Sequence, residues 1–118
     1  MEKHKNSLEM HHLISAVIIT LNEELNIERC IKSVQVVADE VLILDSFSSD
    51  KTVEICERLN VKVFQRNWQG YAASKNYLNK QAKNSYLLSI DADEELSTEL
   101  QQSILKIKSE GLLGVYDF

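Results

Sequence analysis

Apolar and polar positions recur along this chain with two different periods, and the alternation between them predicts its elements. Residues 13–20, Leu-Ile-Ser-Ala-Val-Ile-Ile-Thr, form a short, β-branched, nearly continuous apolar run, the pattern of a strand covered on both faces. Asn22 is placed to cap a following helix. Glu23 and Glu24 suit its positive N-terminal end, and Leu25, Ile27, Ile31 and Val34 supply an inner stripe that ends near Val36. Residues 40–44 then give a second buried strand with a polar tip, Asp45-Ser-Phe-Ser-Ser-Asp50. Ser49 or Asp50 caps a helix to about Leu59, with Val53, Ile55, Cys56 and Leu59 inward, and residues 61–64 make a third strand. Residues 70–82 are helical, with Tyr71, Leu78 and Ala82 among the expected buried positions. Residues 86–90 form a further strand that also ends on acid, Asp91-Ala-Asp93-Glu94-Glu95. A last helix starts at Ser97 or Thr98, where Thr98 and Gln101 have capping-box spacing; Leu100, Ile104, Leu105 and Ile107 form its inner face.

Strands alternating with helices predict an α/β fold of three layers, a mostly parallel sheet with helices on both faces, because parallel neighbours require crossovers. In open sheets of this kind ligands bind beyond the carboxyl ends of the strands. Thr20, Asp45 and the Asp91–Asp93 segment are therefore expected along one rim. The first 12 residues are polar and read as a flexible lead-in, with His11 and His12 serving the approach to the first strand rather than a metal. Residues 13–118 are expected to form one domain.

Composition narrows the class. A chain of 118 residues, 44% hydrophobic and 26% charged, has the balance of a single globular domain. Its 13 Lys+Arg against 18 Asp+Glu leave a formal charge of -5 and no basic patch, which argues against nucleic acid as a partner. Cys30 and Cys56 lack the spacing of a zinc site and read as buried thiols. No apolar run approaches the roughly 18 residues of a membrane span, and the N-terminus lacks the apolar core of a signal peptide, so a cytoplasmic location is expected.

Asp91 and Asp93 carry the sharpest chemical signal. In an extended segment residues two apart point to the same side, so two carboxylates would face one site while Ala92 points away. Mg2+ and Mn2+ take oxygen ligands, commonly one or two carboxylates together with substrate phosphates and water. The competing reading is an acidic loop that merely favours the next helix's N-terminus. Asp45 offers acceptors for a nucleobase N–H or a ribose hydroxyl, or else initiates a turn with Ser46, Ser48 and Ser49. Lys75 and Arg66 are candidate phosphate partners or solvated charges. Trp68 and Tyr71 flank Gly70, and they either line a pocket or pack beneath a loop.

Four segments in order, Ser15-Ala-Val-Ile-Ile-Thr-Leu-Asn-Glu-Glu24, Val41-Leu-Ile-Leu-Asp-Ser-Phe-Ser-Ser-Asp-Lys-Thr52, Gly70-Tyr-Ala-Ala-Ser-Lys-Asn76 and Leu87-Leu-Ser-Ile-Asp-Ala-Asp-Glu94, resemble the inverting family 2 glycosyltransferases of the GT-A fold. The likeness is to the bacterial branch that builds lipopolysaccharide core and similar cell-surface glycans, and to its Rossmann-like nucleotide-binding half. The resemblance implies that Thr20, Leu21, Asn22 and Glu23 meet the nucleoside, that Asp45 is a base-binding carboxylate, and that Lys75 lies near base and phosphates. It places Asp91 and Ala92 at the nucleotide, with Asp91 and Asp93 on a divalent metal, Mg2+ or Mn2+. Leu21 replaces the aromatic residue usual at its place, and Lys75 stands where arginine is common, a point charge instead of a planar fork. The implied donor is a nucleotide-sugar, UDP-linked by preference, and the implied acceptor a glycan or lipid-linked hydroxyl at the inner face of the cell membrane, reached by peripheral association.

Such proteins continue past the metal motif into an acceptor-binding segment, so the chain reads as a piece of a longer protein whose catalytic base lies beyond Phe118, and whose incomplete sheet leaves edges open to oligomer formation. Two other readings share the architecture. One is a receiver-like signalling domain phosphorylated on Asp45, disfavoured by the non-acidic tip Thr20-Leu-Asn22; the other is an inactive partner domain.

Overall fold

The computed structural model describes residues 13–110 together with the backbone pairing of Tyr116 and Asp117. The N-terminal lead-in, with His11 and His12, lies outside the described residues. Five strands, β1 (Ile14–Thr20), β2 (Glu40–Asp45), β3 (Lys62–Gln65), β4 (Tyr86–Ser89) and β5 (Tyr116–Asp117), form one parallel sheet in the order β3-β2-β1-β4-β5. Four helices connect them: α1 (Ile27–Gln35), α2 (Thr52–Arg58), α3 (Tyr71–Gln81) and α4 (Thr98–Glu110).

The period-two alternation of β1 divides the core. Ile14, Ala16 and Ile18 point to one face, where they meet Ile27, Cys30, Ile31 and Val34 of α1, Cys56 of α2 and Ile104 of α4. Val17 and Ile19 point to the other, where Leu42, Leu44 and Phe64 pack with Leu78 and Tyr77 of α3. The three-layer α/β expectation is what the molecule shows. β1 is central and buried along almost its whole length, which is why its sequence is a run of β-branched residues with no polar face.

Helix starts depart from the sequence expectation for local reasons. Residues 23–26 close a turn, with the Asn26 and Ile27 N–H groups donating to the Glu23 carbonyl at 3.0 and 2.8 Å, so α1 begins at Ile27. Asn22 does not cap it, and Leu25, expected inside, is 89% exposed. The capping box at Thr98 and Gln101 does not form either. Ser97 caps α4 by accepting the Leu100 N–H at 3.1 Å, while the Gln101 amide donates to the Ser33 carbonyl of α1 at 2.9 Å. Tyr71, also expected inside, is 68% exposed; Ser74 and Leu78 are the residues of α3 that are buried.

At the end of the sheet where β2 begins, one carboxylate gathers three segments. Glu40 accepts from the Ser15 hydroxyl at 2.7 Å, the Lys83 N–H at 2.8 Å and the Lys62 ammonium at 2.8 Å. Burial alone would raise this carboxyl, but the Lys62 ammonium, the Lys83 N–H and the Ser15 hydroxyl together outweigh it and hold Glu40 below the ordinary glutamate value of 4.5. Because the folded value is the lowered one, the stability this group contributes is complete above that ordinary value and is lost as pH falls through the lowered one. Glu40→Gln is expected to cost about 1 kcal/mol at neutral pH. In urea titrations the gap between variant and parent should close as pH falls through the lowered Glu40 value; a gap that persists at strongly acid pH would refute the assignment.

Candidate functional site at the sheet's switch point

The chain leaves β1 towards β2 on one side and reaches β4 on the other, so the junction of β1 and β4 is the point where the strand order reverses. A cleft of about 210 Å³ opens there. Val17 and Ile19 of β1 and Ser89 and Ile90 at the end of β4 form its floor, Tyr71, Lys75 and Leu78 of α3 form a wall, and Glu23, Asp91, Ala92 and Asp93 complete the lining. A second cleft, of about 350 Å³, adjoins it and shares Ile19, Glu23 and Tyr71, adding Thr20, Leu21 and Trp68.

The acidic segment is a turn, not the extended stretch expected from sequence. The Glu94 N–H donates to the Asp91 carbonyl at 3.0 Å, and the Glu94 carboxylate accepts the Asp91 N–H at 3.2 Å, closing the turn from both ends. Ala92 is buried at 4% exposure, whereas Asp91 and Asp93 are exposed at the cleft. α1 holds this turn from beneath. The Cys30 thiol donates to the Asp91 carbonyl at 3.5 Å, Ser33 Oγ accepts the Leu96 N–H at 2.9 Å, and Arg29 pairs with Glu95 at 3.3 Å. Burial, reinforced by the charges of Glu94, Asp93 and Asp91, pushes the Cys30 thiol up to about 12, so it stays protonated and keeps its role as donor.

Asp45 sits at the same rim, paired in register with Thr20, but inside it. Its carboxylate is fully buried. It accepts from the Thr20 hydroxyl at 2.7 Å, the Ser48 N–H at 2.8 Å, the Ser48 hydroxyl, and the Gln65 amide at 3.3 Å. The turn-forming alternative for Asp45 describes these contacts; a nucleobase would have to displace one of the donors to reach it. A receiver-like role fares no better, since a carboxylate so enclosed has no free oxygen for phosphorylation.

Asn22 carries the backbone at φ 52, and its Oδ1 accepts the Ser49 and Asp50 N–H groups at 2.8 and 3.4 Å. Its own N–H goes to Ser48 Oγ at 2.8 Å. Asp50 Oδ2 accepts the Glu24 N–H at 3.1 Å, while Oδ1 accepts the Thr52 N–H at 2.9 Å. The tips of β1 and β2 are thus laced together. Arg66 lines neither cleft: its guanidinium lies 4.4 Å from the Tyr77 ring centre. Among the described residues no group of three or more His, Cys, Asp or Glu side chains forms a ready-made metal centre, and no helix is long and apolar enough to cross a membrane.

A parallel α/β sheet with an acidic cleft at its switch point is the architecture of a nucleotide-binding domain, and comparison with known proteins gives it a family. The glycosyl transferase family 2 model matches residues 15–117, and the chain belongs to that family. An uncharacterized glycosyltransferase of Rickettsia bellii is 54% identical over 91 residues, covering 77% of this chain and 31% of that protein. The lipopolysaccharide core biosynthesis glycosyltransferase LpsC of Rhizobium meliloti is 34% identical over 108 residues, covering 86% of this chain and 40% of that protein. The chain thus spans well under half the length of these relatives. Among solved structures, residues 1–349 of S. aureus TarS superpose with a TM-score of 0.70 at 27% identity, covering 83% of this chain and 32% of that one. Glucosyl-3-phosphoglycerate synthase from Mycobacterium tuberculosis, solved with Mn2+, UDP and glucosyl-3-phosphoglycerate, shares the fold at a TM-score of 0.64 and 22% identity, covering 75% of this chain and 37% of that one. The fold is that of the GT-A glycosyltransferases.

Two outcomes follow for the scaffold of the site. Asp45→Ala leaves the buried Thr20 hydroxyl and the half-buried Ser48 hydroxyl without their acceptor and should lower stability by about 1–3 kcal/mol, measured by urea unfolding without any ligand; an unchanged midpoint would deny Asp45 its organising role. Gly70 enters α3 at φ 100, and a Cβ there meets nothing within 4 Å, so any cost of Gly70→Ala comes from the backbone alone. That cost should be about 1–3 kcal/mol in the same measurement.

Proposed function

We propose that this chain is the donor-binding part of an inverting glycosyltransferase that moves a sugar from a nucleotide-sugar, UDP-linked, to a hydroxyl of a cell-envelope glycan or lipid-linked acceptor. One observation carries the reading: Asp91, Asp93 and Lys75 line a single cleft at the place where open α/β sheets take their ligands. Family membership supports the reaction class. The similarity to the Rhizobium meliloti protein supports the cell-envelope acceptor. The reaction would be run by the whole protein at the cytoplasmic face of the cell membrane.

The donor set suits Mg2+ or Mn2+. Among the described residues these two exposed carboxylates belong to no group of three or more His, Cys, Asp or Glu side chains, which leaves coordination positions for phosphate oxygens and water and suits a hard ion. Asp91 and Asp93 would hold the ion. When bound, it supplies positive charge against the diphosphate as that group departs with the electron pair of its bond to the anomeric carbon.

The remaining chemistry falls to side chains in defined places. Lys75, on α3, lines the same cleft as the acidic turn and would be a second positive group for the phosphates. Thr20, Leu21, Asn22 and Glu23 form the edge along which the nucleoside lies, and Asp45 serves them by fixing Thr20 and the Ser48 loop. The acceptor oxygen bonds to the anomeric carbon from the face opposite the diphosphate, which inverts the centre, and gives its proton to a base expected beyond Phe118. Binding of the donor should therefore be separable from turnover. In calorimetry with Mn2+, UDP should bind this chain, and Asp93→Ala or chelation of the metal should weaken binding at least tenfold. Equal affinity with and without the Asp93 carboxylate would reject the site, and a folded sample that binds no nucleotide would return the chain to the inactive-partner reading.

A further inference from the structure

The segment from Asp91 to Leu96 is anchored at its two apolar positions and bare between them. Ala92 and Leu96 are 4% and 3% exposed and belong to the core cluster that α1 covers, whereas Asp91, Asp93, Glu94 and Glu95 are exposed. Apolar burial fixes how deep the segment sits but has no direction, and two carboxylates that share one ion need a defined separation. Direction comes from hydrogen bonds and ion pairs, and α1 supplies them at both ends of the segment. Ser33 lies four residues from Arg29 and three from Cys30, so the three share one side of that helix. They meet, respectively, the Leu96 N–H, the Glu95 carboxylate and the Asp91 carbonyl.

Of the three, Ser33 is the one whose presence the helix itself does not explain. Serine is a poorer helix former than alanine, and α1 is only nine residues long. Yet Ser33 is buried. Its hydroxyl donates to the Cys30 carbonyl at 2.8 Å, which turns the oxygen's lone pairs to the Leu96 N–H at 2.9 Å, and its own carbonyl accepts the Gln101 amide of α4 at 2.9 Å. One residue thus ties together the helix beneath the acidic turn, the end of the turn and the helix that follows. Alanine would serve the helix at least as well, but it would leave a buried N–H without an acceptor.

We propose that Ser33 is a positioning residue for the donor site: by holding Leu96 against α1 it sets the separation of the Asp91 and Asp93 carboxylates before an ion arrives, without touching the ligand. The inference rests on the donor-binding function above, and its test separates the two. A turn ordered in advance spends less of the binding energy on its own ordering. Ser33→Ala should therefore speed hydrogen exchange at the Leu96 N–H and weaken UDP, measured calorimetrically with Mn2+ present, about tenfold. Ser33→Thr keeps the oxygen and should recover most of both. General destabilisation does not imitate this result, because a variant that stays about 99% folded binds with unchanged apparent affinity. Glu40→Gln, at the end of the sheet where β2 begins, is the control; it lowers stability and should bind UDP as the parent does. Gln101→Ala removes a half-buried side chain and should weaken UDP by a smaller factor. If Ser33→Ala binds UDP undiminished while Asp93→Ala does not, the donor site stands and Ser33 has no part in it. If Glu40→Gln weakens UDP as much as Ser33→Ala, or if exchange at Leu96 is unchanged, local order is not the cause and the inference falls. Should Ser33→Ala fail to fold, undiminished binding by Gln101→Ala would overturn it instead. A parent chain that binds no UDP would overturn the donor-binding function and this inference with it.

Discussion

The rim of this protein depends on a carboxylate that never reaches solvent. Asp45 is fully buried, and a buried charge is tolerated only where donors replace the water it has lost. Here those donors come from three directions: Thr20 at the end of β1, Ser48 in the loop beyond β2, and Gln65 at the end of β3. Satisfying one ion therefore sets the relative height of three strand tips. Asn22 then extends the arrangement outward by accepting the N–H groups of the neighbouring loop, and its left-handed backbone, unusual for a residue other than glycine, is the conformation that aims the side chain there. A ligand arriving at this edge meets groups already ordered, so less of its binding energy goes into fixing them.

The acidic turn shows the opposite arrangement, in which the carboxylates are exposed to solvent. Asp91, Asp93, Glu94 and Glu95 lie within five residues, Arg29 pairs with Glu95, and Lys75 lines the same cleft as Asp91 and Asp93. The turn keeps its shape through neutral bonds from below: a thiol kept protonated by its surroundings, and the hydroxyl and carbonyl of Ser33. Holding like charges together costs energy that any nearby cation relieves.

Much of this was legible in the sequence, and what was not shares a cause. The strands could be read because β1 and β2 are buried on both faces, and a continuous β-branched run has few other uses; their order along the chain then placed the rim. Long-range partners were not legible. Asn22 before Glu23 and Glu24 has the local form of a helix cap, and nothing near it announces that its oxygen is taken by residues 49 and 50 instead. Gln101 likewise has capping-box spacing but finds a carbonyl 68 residues away. Tyr71 opens a helix whose periodicity is weak, so its exposure could not be told from the pattern. Asp45 was located correctly at a strand end, but whether a carboxylate there points out of the sheet or into it depends on which donors the neighbouring tips supply.

What turns a common sheet into a candidate site is the divergence of connections around β1. α3 lies against β1 and β2, and the cleft opens beside it, over the junction with β4, where two apolar side chains of β1 become a floor. Any parallel sheet with this strand order would have such a crevice, so the fold accounts for the place and not for the chemistry. The chemistry comes from three local choices: acid after β4 instead of apolar residues, a lysine one turn into α3, and aromatic residues flanking the glycine that starts it. Each is separable from the fold, because none of these side chains belongs to either core cluster. Substitutions at Asp93 or Trp68 thus leave both core clusters untouched, whereas those at Asp45 or Glu40 act on the scaffold, and the cleft is open to dissection without unfolding the protein.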